Sequence, residues 1–252
     1  MPLLQTDNVS VRFGGVAALR DVNLDADAGY VTGLIGPNGA GKTTIFNVIT
    51  GLQTPTHGRV LIDGADVTRT GTHKRARLGV ARTFQRLEVF GSLTVRENVL
   101  VAAEIRRRWS RDRSNAKAIT EALLDRVGLR SVAEERVDVL STGLARLVEL
   151  GRALATRPRL LLLDEPGSGL DNKETEAFAD LLVELASDGL AVLLVEHDVE
   201  LVMKVCRRVH VLDFGVKIFD GTPQEVQSDP KVKAAYLGED TEAVADEELV
   251  GD

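Results

Sequence analysis

Between an apolar stretch, Val31 to Ile35, and a helical one, Lys42 to Thr50, the chain carries Gly36, Pro37, Asn38, Gly39, Ala40, Gly41, Lys42 and Thr43. No other segment constrains the fold as strongly. The order G-x-x-x-x-G-K-[ST], set after a strand and opening a helix, makes a loop whose successive backbone N–H groups point inward at an anion. Gly39 and Gly41 let the backbone come close to nucleotide phosphates, Lys42 brings a positive charge to their outer oxygens, and the Thr43 hydroxyl is a ligand for Mg²⁺. Strand, loop and helix in that order imply a parallel sheet covered by helices.

Patterning elsewhere agrees with an α/β chain built on a mainly parallel sheet. Val9 to Phe13 and Val22 to Ala26 read as strands of an antiparallel edge layer, and Val60 to Asp63 and Val80 to Thr83 as further strands. From Thr94 to about Gly151, strand signals give way to helical stretches at Thr94 to Arg107, Ala116 to Val127 and Leu144 to Ala155, an inserted α-helical subdomain. Alternation returns after Pro158. Leu160 to Leu163 and Leu190 to Val195 read as central strands, and Lys173 to Ser187 and Val199 to Val205 as helices. Val209 to Leu212 and Val216 to Phe219 form a hairpin around Phe214-Gly215, and Pro223 to Leu237 holds short helices. Residues 1–238 make one domain, with the helical insertion at about 94–151.

Charge is concentrated at the end. Glu239 to Asp252 holds seven acids and no base, leaving 31 acidic against 31 basic residues elsewhere. The neutral body argues against a nucleic-acid partner, and the acidic tail, without an apolar face, is expected to be disordered. The longest apolar run, Leu190 to Val195, is far too short to cross a bilayer. Cys206 is the only cysteine, which excludes an intrachain disulfide or a cysteine-cluster metal site.

Two apolar strands end in chemistry. Leu160 to Leu163 runs into Asp164 and Glu165, which places Asp164 toward the Mg²⁺ shell and Glu165 toward an attacking water. The second strand ends in Glu196-His197-Asp198, putting His197 within reach of the same terminal phosphate. Leu140-Ser141-Thr142-Gly143-Leu144 then opens a helix with Arg146, Glu149 and Arg152.

With these residues the chain resembles the ATP-binding cassette family, the ATPase subunits of ABC transporters, over Leu3 to Gly238. The resemblance implies that Phe13 stacks on adenine, although a core aromatic on an edge strand is an alternative reading. It makes Gly36 to Thr44 the Walker A loop, Thr44 included, and Gln85 of Thr83-Phe84-Gln85 the Q-loop glutamine, a metal and catalytic residue. Ser141 and Gly143 match the signature, Asp164 and Glu165 Walker B, Ser168 to Asp171 the D-loop with Asp171 at the nucleotide, and His197 the switch histidine. The resemblance also implies a dimer, with ATP between the Walker motifs of one subunit and the signature of the other. Here Thr142 replaces a glycine and Leu144 a polar residue of the usual signature, which favours a heterodimer with a second related ATPase.

A finer likeness is to the branched-chain and hydrophobic amino acid uptake branch. It is carried by Arg12-Phe-Gly-Gly15, Arg82-Thr-Phe-Gln85, Leu93 to Asn98, Lys173-Glu-Thr175, and the ending Gly221-Thr-Pro-Gln to Ala235-Tyr-Leu-Gly238. This implies import by a complex of a solute-binding protein, two membrane permeases and two ATPases, with the chain peripheral on the cytoplasmic face. Lipopolysaccharide-export ATPases share parts of the pattern. A nucleic-acid-handling ATPase of the same superfamily is a further alternative, opposed by the single cassette and the lack of coiled-coil heptads. A cassette without turnover is opposed by Lys42, Glu165 and His197. Gln85 and the following Leu87 and Phe90 are expected to line a groove that receives a permease helix, because the apolar Leu87, Val89 and Phe90 lie beside a residue expected to sense Mg²⁺ and the terminal phosphate. Five arginines between Arg106 and Arg113 read as a solvated face or as an attraction to anionic lipid or an acidic permease loop.

Overall fold

The computed structural model describes residues 2–110 and 114–236. The acidic segment 239–252, with Arg111 and Arg113, lies outside the described residues. The chain begins with β1 (Leu4–Phe13), β2 (Val16–Val22), β3 (Asp25–Ala26) and β4 (Val31–Ile35), followed by the glycine loop and α1 (Lys42–Thr50). Next come β5 (His57–Ile62), β6 (Ala65–Asp66), α2 (Thr72–Arg77) and β7 (Val80–Arg82), then the helices α3 (Val95–Ser110), α4 (Ala116–Arg126) and α5 (Thr142–Ala155). The last part holds β8 (Leu160–Asp164), α6 (Asn172–Ser187), β9 (Ala191–Val195), α7 (Val199–Val205), β10 (Arg208–Asp213), β11 (Val216–Gly221) and α8 (Pro223–Ser228). Residues 230–236 are helical too.

The larger sheet has the order β11-β10-β4-β9-β8-β7 and is parallel except for the β10–β11 hairpin. The smaller sheet, β2-β1-β5-β6 with β3 also on β1, is antiparallel. Strands covered on both faces must be apolar on both, which is why β8 and β9 are continuous rather than alternating runs. Leu160 and Leu162 pack with Phe46 and Ile49 of α1 and with Leu4 and Val60 of the antiparallel sheet. Leu161 and Leu163 point the other way, toward Val148 of α5, Leu182 of α6 and Val202 of α7. Helix α1, which carries Lys42, is therefore gripped between two sheets. Burying one such leucine stabilises by roughly 1.5–3 kcal/mol, and Leu162→Ala costs about 2–5 kcal/mol with its cavity.

The first fifty residues depart most from sequence expectation. β1 starts at Leu4, because its first half pairs with β5 and β3 and its second half with β2, Ser10 still pairing with His57 of β5. The bulge at Asn8, with φ 48°, separates the halves. The expected strand Val22 to Ala26 is broken. The Asn23 side chain accepts from the Asn8 N–H at 2.9 Å, and Asp25–Ala26 crosses to pair with Gln5 and Leu4. Helix α2 carries no apolar stripe, so no periodicity in the sequence marks it. Its Arg75, only 1% exposed, donates to Val48 O, Ile49 O and Thr70 O at 2.6, 2.7 and 2.8 Å and so caps the carboxyl end of α1.

Candidate active site

The β4–α1 loop folds around its own lysine. Lys42, 8% exposed, donates from Nζ to Gly36 O and, at 2.9 Å, to Pro37 O. Gly41 has φ 103°, and a Cβ there would stand 2.7 Å from Leu19 Cδ2; at Gly36 it would stand 2.1 Å from Leu212 O. Side chains are thus barred where β2 and β10 press on the loop. Asn38, Gly39, Ala40, Gly41, Lys42, Thr43 and Thr44, with Ala18, Gln85 and Glu165, line a cavity of about 230 Å³.

β8 and β9 are neighbours in register, Asp164 beside Val195, so their carboxyl ends deliver side chains to the same edge. The Glu165 N–H donates to Val195 O at 2.9 Å, and Glu165 itself sits at φ 50°, a region that side chains enter only when held there. Both of its carboxylate oxygens are engaged. His197 Nε2 lies 2.6 Å from Oε1, and Gln85 Nε2 donates to Oε2 at 3.3 Å. Behind the pair, Glu196 is buried and accepts from the Gly167 N–H at 2.6 Å and from the His197 N–H at 3.2 Å. Burial raises its carboxyl above the ordinary range despite those donors.

Asp164 is 4% exposed at its side chain and forms an ion pair with Arg82 at 2.8 Å through Oδ2. Among the described residues no three His, Cys, Asp or Glu side chains cluster to hold a metal. Mg²⁺ takes one or two carboxylates plus waters and phosphate oxygens rather than an all-protein cage. As hard oxygen donors the Asp164 carboxylate, the Thr43 hydroxyl and the Gln85 amide suit that ion in kind; Thr43 and Gln85 line the cavity and Asp164 does not.

The remaining expected residues are held elsewhere. Ser141 is the N-cap of α5, its hydroxyl accepting from the Leu144 N–H at 3.3 Å. Asp171 caps α6 in a capping box with Glu174. Neither they nor Gly143 line the glycine-loop cavity. Gly143 and Gly169 bring these two caps together: a Cβ on Gly143 would meet Leu170 Cδ2 at 2.9 Å, and one on Gly169 would meet Thr142 Cγ2 at 3.0 Å. Phe13 is 52% exposed at the end of β1, which rules out the core-aromatic reading.

Phosphate loop, paired strand ends and a separate capped helix match one known arrangement. A model described as "ABC transporter" matches residues 19–168. The chain belongs to the ABC transporter family. Within that family it is an ATP-binding, ATP-hydrolysing subunit of a transporter. A second model, "Branched-chain amino acid ATP-binding cassette transporter", matches residues 216–242. The cassette is 40% identical over 94% of its length, and 98% of the relative's, to the high-affinity branched-chain amino acid transport ATP-binding protein BraF of Pseudomonas aeruginosa. It is 35% identical over 95% of its length, and 98% of the relative's, to the lipopolysaccharide export system ATP-binding protein LptB of Haemophilus influenzae. A dimeric ATP-binding cassette solved in a post-hydrolysis state with ADP and phosphate superposes with a TM-score of 0.78 at 28% identity, covering 87% of this chain and 98% of that one. No helix among the described residues of the cassette is long and apolar enough to cross a membrane.

Sequence reasoning missed how α5 grips the Gln85 segment. Glu149 Oε1 accepts from the Phe84 N–H at 3.0 Å, while Arg146 donates to Phe84 O at 2.6 Å and to Gln85 O. Burial raises the Glu149 carboxyl in spite of the Phe84 N–H and the Arg146 charge. The signal was present in the spacing of Arg146, Glu149 and Arg152, three apart on one helical stripe. Their target, 61 or more residues away in sequence, was not.

Proposed function

We propose that this chain powers the import of branched-chain amino acids or closely related hydrophobic solutes. The observation that carries the reading is the likeness to BraF over 94% of the chain, together with the separate match at residues 216–242. In this reading the chain sits on the cytoplasmic face of the membrane beside two permeases. A solute-binding protein delivers the solute on the other side, a second related ATPase completes the pair, and residues 94–151 form the subdomain that meets the permeases.

The backbone N–H groups of the Gly36 to Thr44 loop, Pro37 having none, and the Lys42 charge hold the phosphates, Phe13 stacks on the base, and Glu165 accepts the proton of the water that attacks the terminal phosphorus. His197 keeps the Glu165 carboxylate aimed and gives a second contact to the terminal phosphate, and Gln85 orients the water from the opposite side. Mg²⁺, when bound by Thr43, Asp164 and Gln85, neutralises charge on the phosphates. Ser141 and Gly143 would complete the site of the partner ATPase, and Asp171 would border the same junction.

Reconstitution with its own permeases tests the reading. ATP-dependent uptake of labelled leucine, isoleucine or valine, lost on Glu165→Gln, is the expected result. Export of a lipid-linked substrate without amino acid uptake would overturn it in favour of the activity named for LptB.

A further inference from the structure

Arg82 ends β7, three residues before Gln85, with its side chain 6% exposed. Its guanidinium touches three parts of the site. Nη2 donates to Asp164 Oδ2 at 2.8 Å, Nη1 donates to Asn47 Oδ1 of α1 at 2.6 Å, and the ring centroids of Phe46 and Phe84 lie 5.3 and 4.9 Å away. A carboxylate as buried as Asp164 needs a counter-charge, and Arg82 supplies it. The same carboxylate is the one assigned above to Mg²⁺.

We propose that Arg82 and the divalent cation share the Asp164 carboxylate, and that Arg82 is the positioning residue through which cation occupancy reaches the Gln85 segment and α5. The inference rests on Asp164 being the metal carboxylate. With a cation beside Oδ1, Asp164 holds Arg82 less tightly, because two positive charges then divide one negative charge at short range in a dry site. Phe84 follows Arg82 through the ring contact. Its backbone is clamped by α5, through the Glu149 carboxylate on its N–H and Arg146 on its carbonyl, so a shift of Phe84 reaches the helix that Ser141 caps. Linkage requires the reverse as well: Arg82, by holding Asp164, weakens the cation by the factor with which the cation weakens Arg82.

The test uses the purified full chain with a non-hydrolysable ATP analogue. Analogue binding is followed across a Mg²⁺ titration, and hydrogen exchange is followed in peptides covering 84–90 and 142–152, with and without Mg²⁺. Arg82→Gln is expected to lower the half-saturating Mg²⁺ about fivefold or more and to abolish the Mg²⁺-dependent exchange change at 142–152. Arg82→Lys keeps the charge but loses the fork and the stack, so half-saturation stays within about twofold while the exchange change is lost. A merely structural Arg82 predicts weaker or unchanged Mg²⁺ in Arg82→Gln, and that result overturns the proposal. Should Arg82→Gln not fold, Phe84→Leu decides: unchanged Mg²⁺ half-saturation with a lost exchange response supports the relay, and a retained response overturns it. Asp164→Asn separates the two levels. If Mg²⁺ dependence survives in Asp164→Asn, the metal assignment itself fails; if it vanishes there while Arg82→Gln shows no tightening, only the relay fails.

Discussion

His197 Nε2 stands 2.6 Å from Glu165 Oε1, although 32 residues separate them, because β8 and β9 run side by side and end at the same edge of the sheet. The imidazole therefore holds the carboxylate from one side while Gln85 holds it from the other. Glu165→Gln should keep ATP binding within about twofold and cut turnover by about 10²–10⁴. His197→Ala should lower turnover with a smaller loss, since it removes the orienting partner and not the base. Single-turnover hydrolysis and equilibrium binding on the same preparations measure both, and near-normal turnover by Glu165→Gln would remove Glu165 from its role.

Arg146 and Glu149 bind α5 to the backbone on either side of Phe84. Replacing Arg146 with Ala leaves Glu149 buried without its cation and frees two carbonyls, so a stability loss of about 3–5 kcal/mol is expected by denaturant titration. Glu149→Gln keeps an acceptor for the Phe84 N–H but takes the carboxylate from the buried Arg146, which still donates to two carbonyls, so a smaller loss of about 1–3 kcal/mol is expected. In a reconstituted transporter this variant should still hydrolyse ATP but lose most of its stimulation by substrate.

Phe90 is exposed, with the Arg152 guanidinium 4.6 Å from its ring centroid, whereas Leu87 and Val89 pack against the core. Of the apolar residues at the expected permease groove, Phe90 is the one open to a partner. Phe90→Asp should block assembly with the permeases and leave nucleotide binding and melting temperature unchanged; Leu87→Asp should instead destabilise the cassette. Copurification of permeases with Phe90→Asp at the normal ratio would place the contact elsewhere.

The hairpin end of the sheet gives a pH prediction. Burial alone would raise the Asp220 carboxyl, but hydrogen bonds and charge from Arg208 and Lys217 hold it at about 2. A carboxyl depressed in the folded state contributes stability above its unfolded pKa and loses it as pH falls through the folded one. Asp220→Asn should therefore cost about 1 kcal/mol at pH 7, less than the full linkage value because solvent screens this group, with the gap to the parent closing between about pH 4 and pH 2. A gap that is constant with pH would assign the loss to packing.

Thr142 rests against Gly169, and Leu144, in the first turn of α5, packs on the core. These contacts account for both side chains within the chain but leave the start of α5 bulkier and less polar than a glycine-rich signature. A site completed by this signature should close less tightly on ATP than one completed by a standard motif. In a transporter containing this chain and a related ATPase, Glu165→Gln here should remove most hydrolysis, and the matching change in the partner should remove less. Equal losses, or a fully active dimer of this chain alone, would contradict the asymmetry.

Local chemistry was enough to determine the glycine loop, the span of α1 from Lys42 to Thr50, the parallel strands β4, β8 and β9, and α7. Each is specified by neighbours in sequence: glycines where positive φ is needed, an apolar run of strand length, a stop at Gly51. The same local logic marked Asp164, Glu165 and His197, because strand ends beside a phosphate loop are where such side chains must emerge. Only the tertiary structure decided what they touch. The β1–β2 pairing, the break at Asn23 and the cap supplied by Arg75 arise from contacts between distant segments, and no periodicity records them. The Arg82–Asp164 pair and the α5 grip on Phe84 are charges buried against partners 61 to 82 residues away. A charged side chain reads as surface in sequence, and it becomes part of the site only when the fold removes its water and supplies its partner.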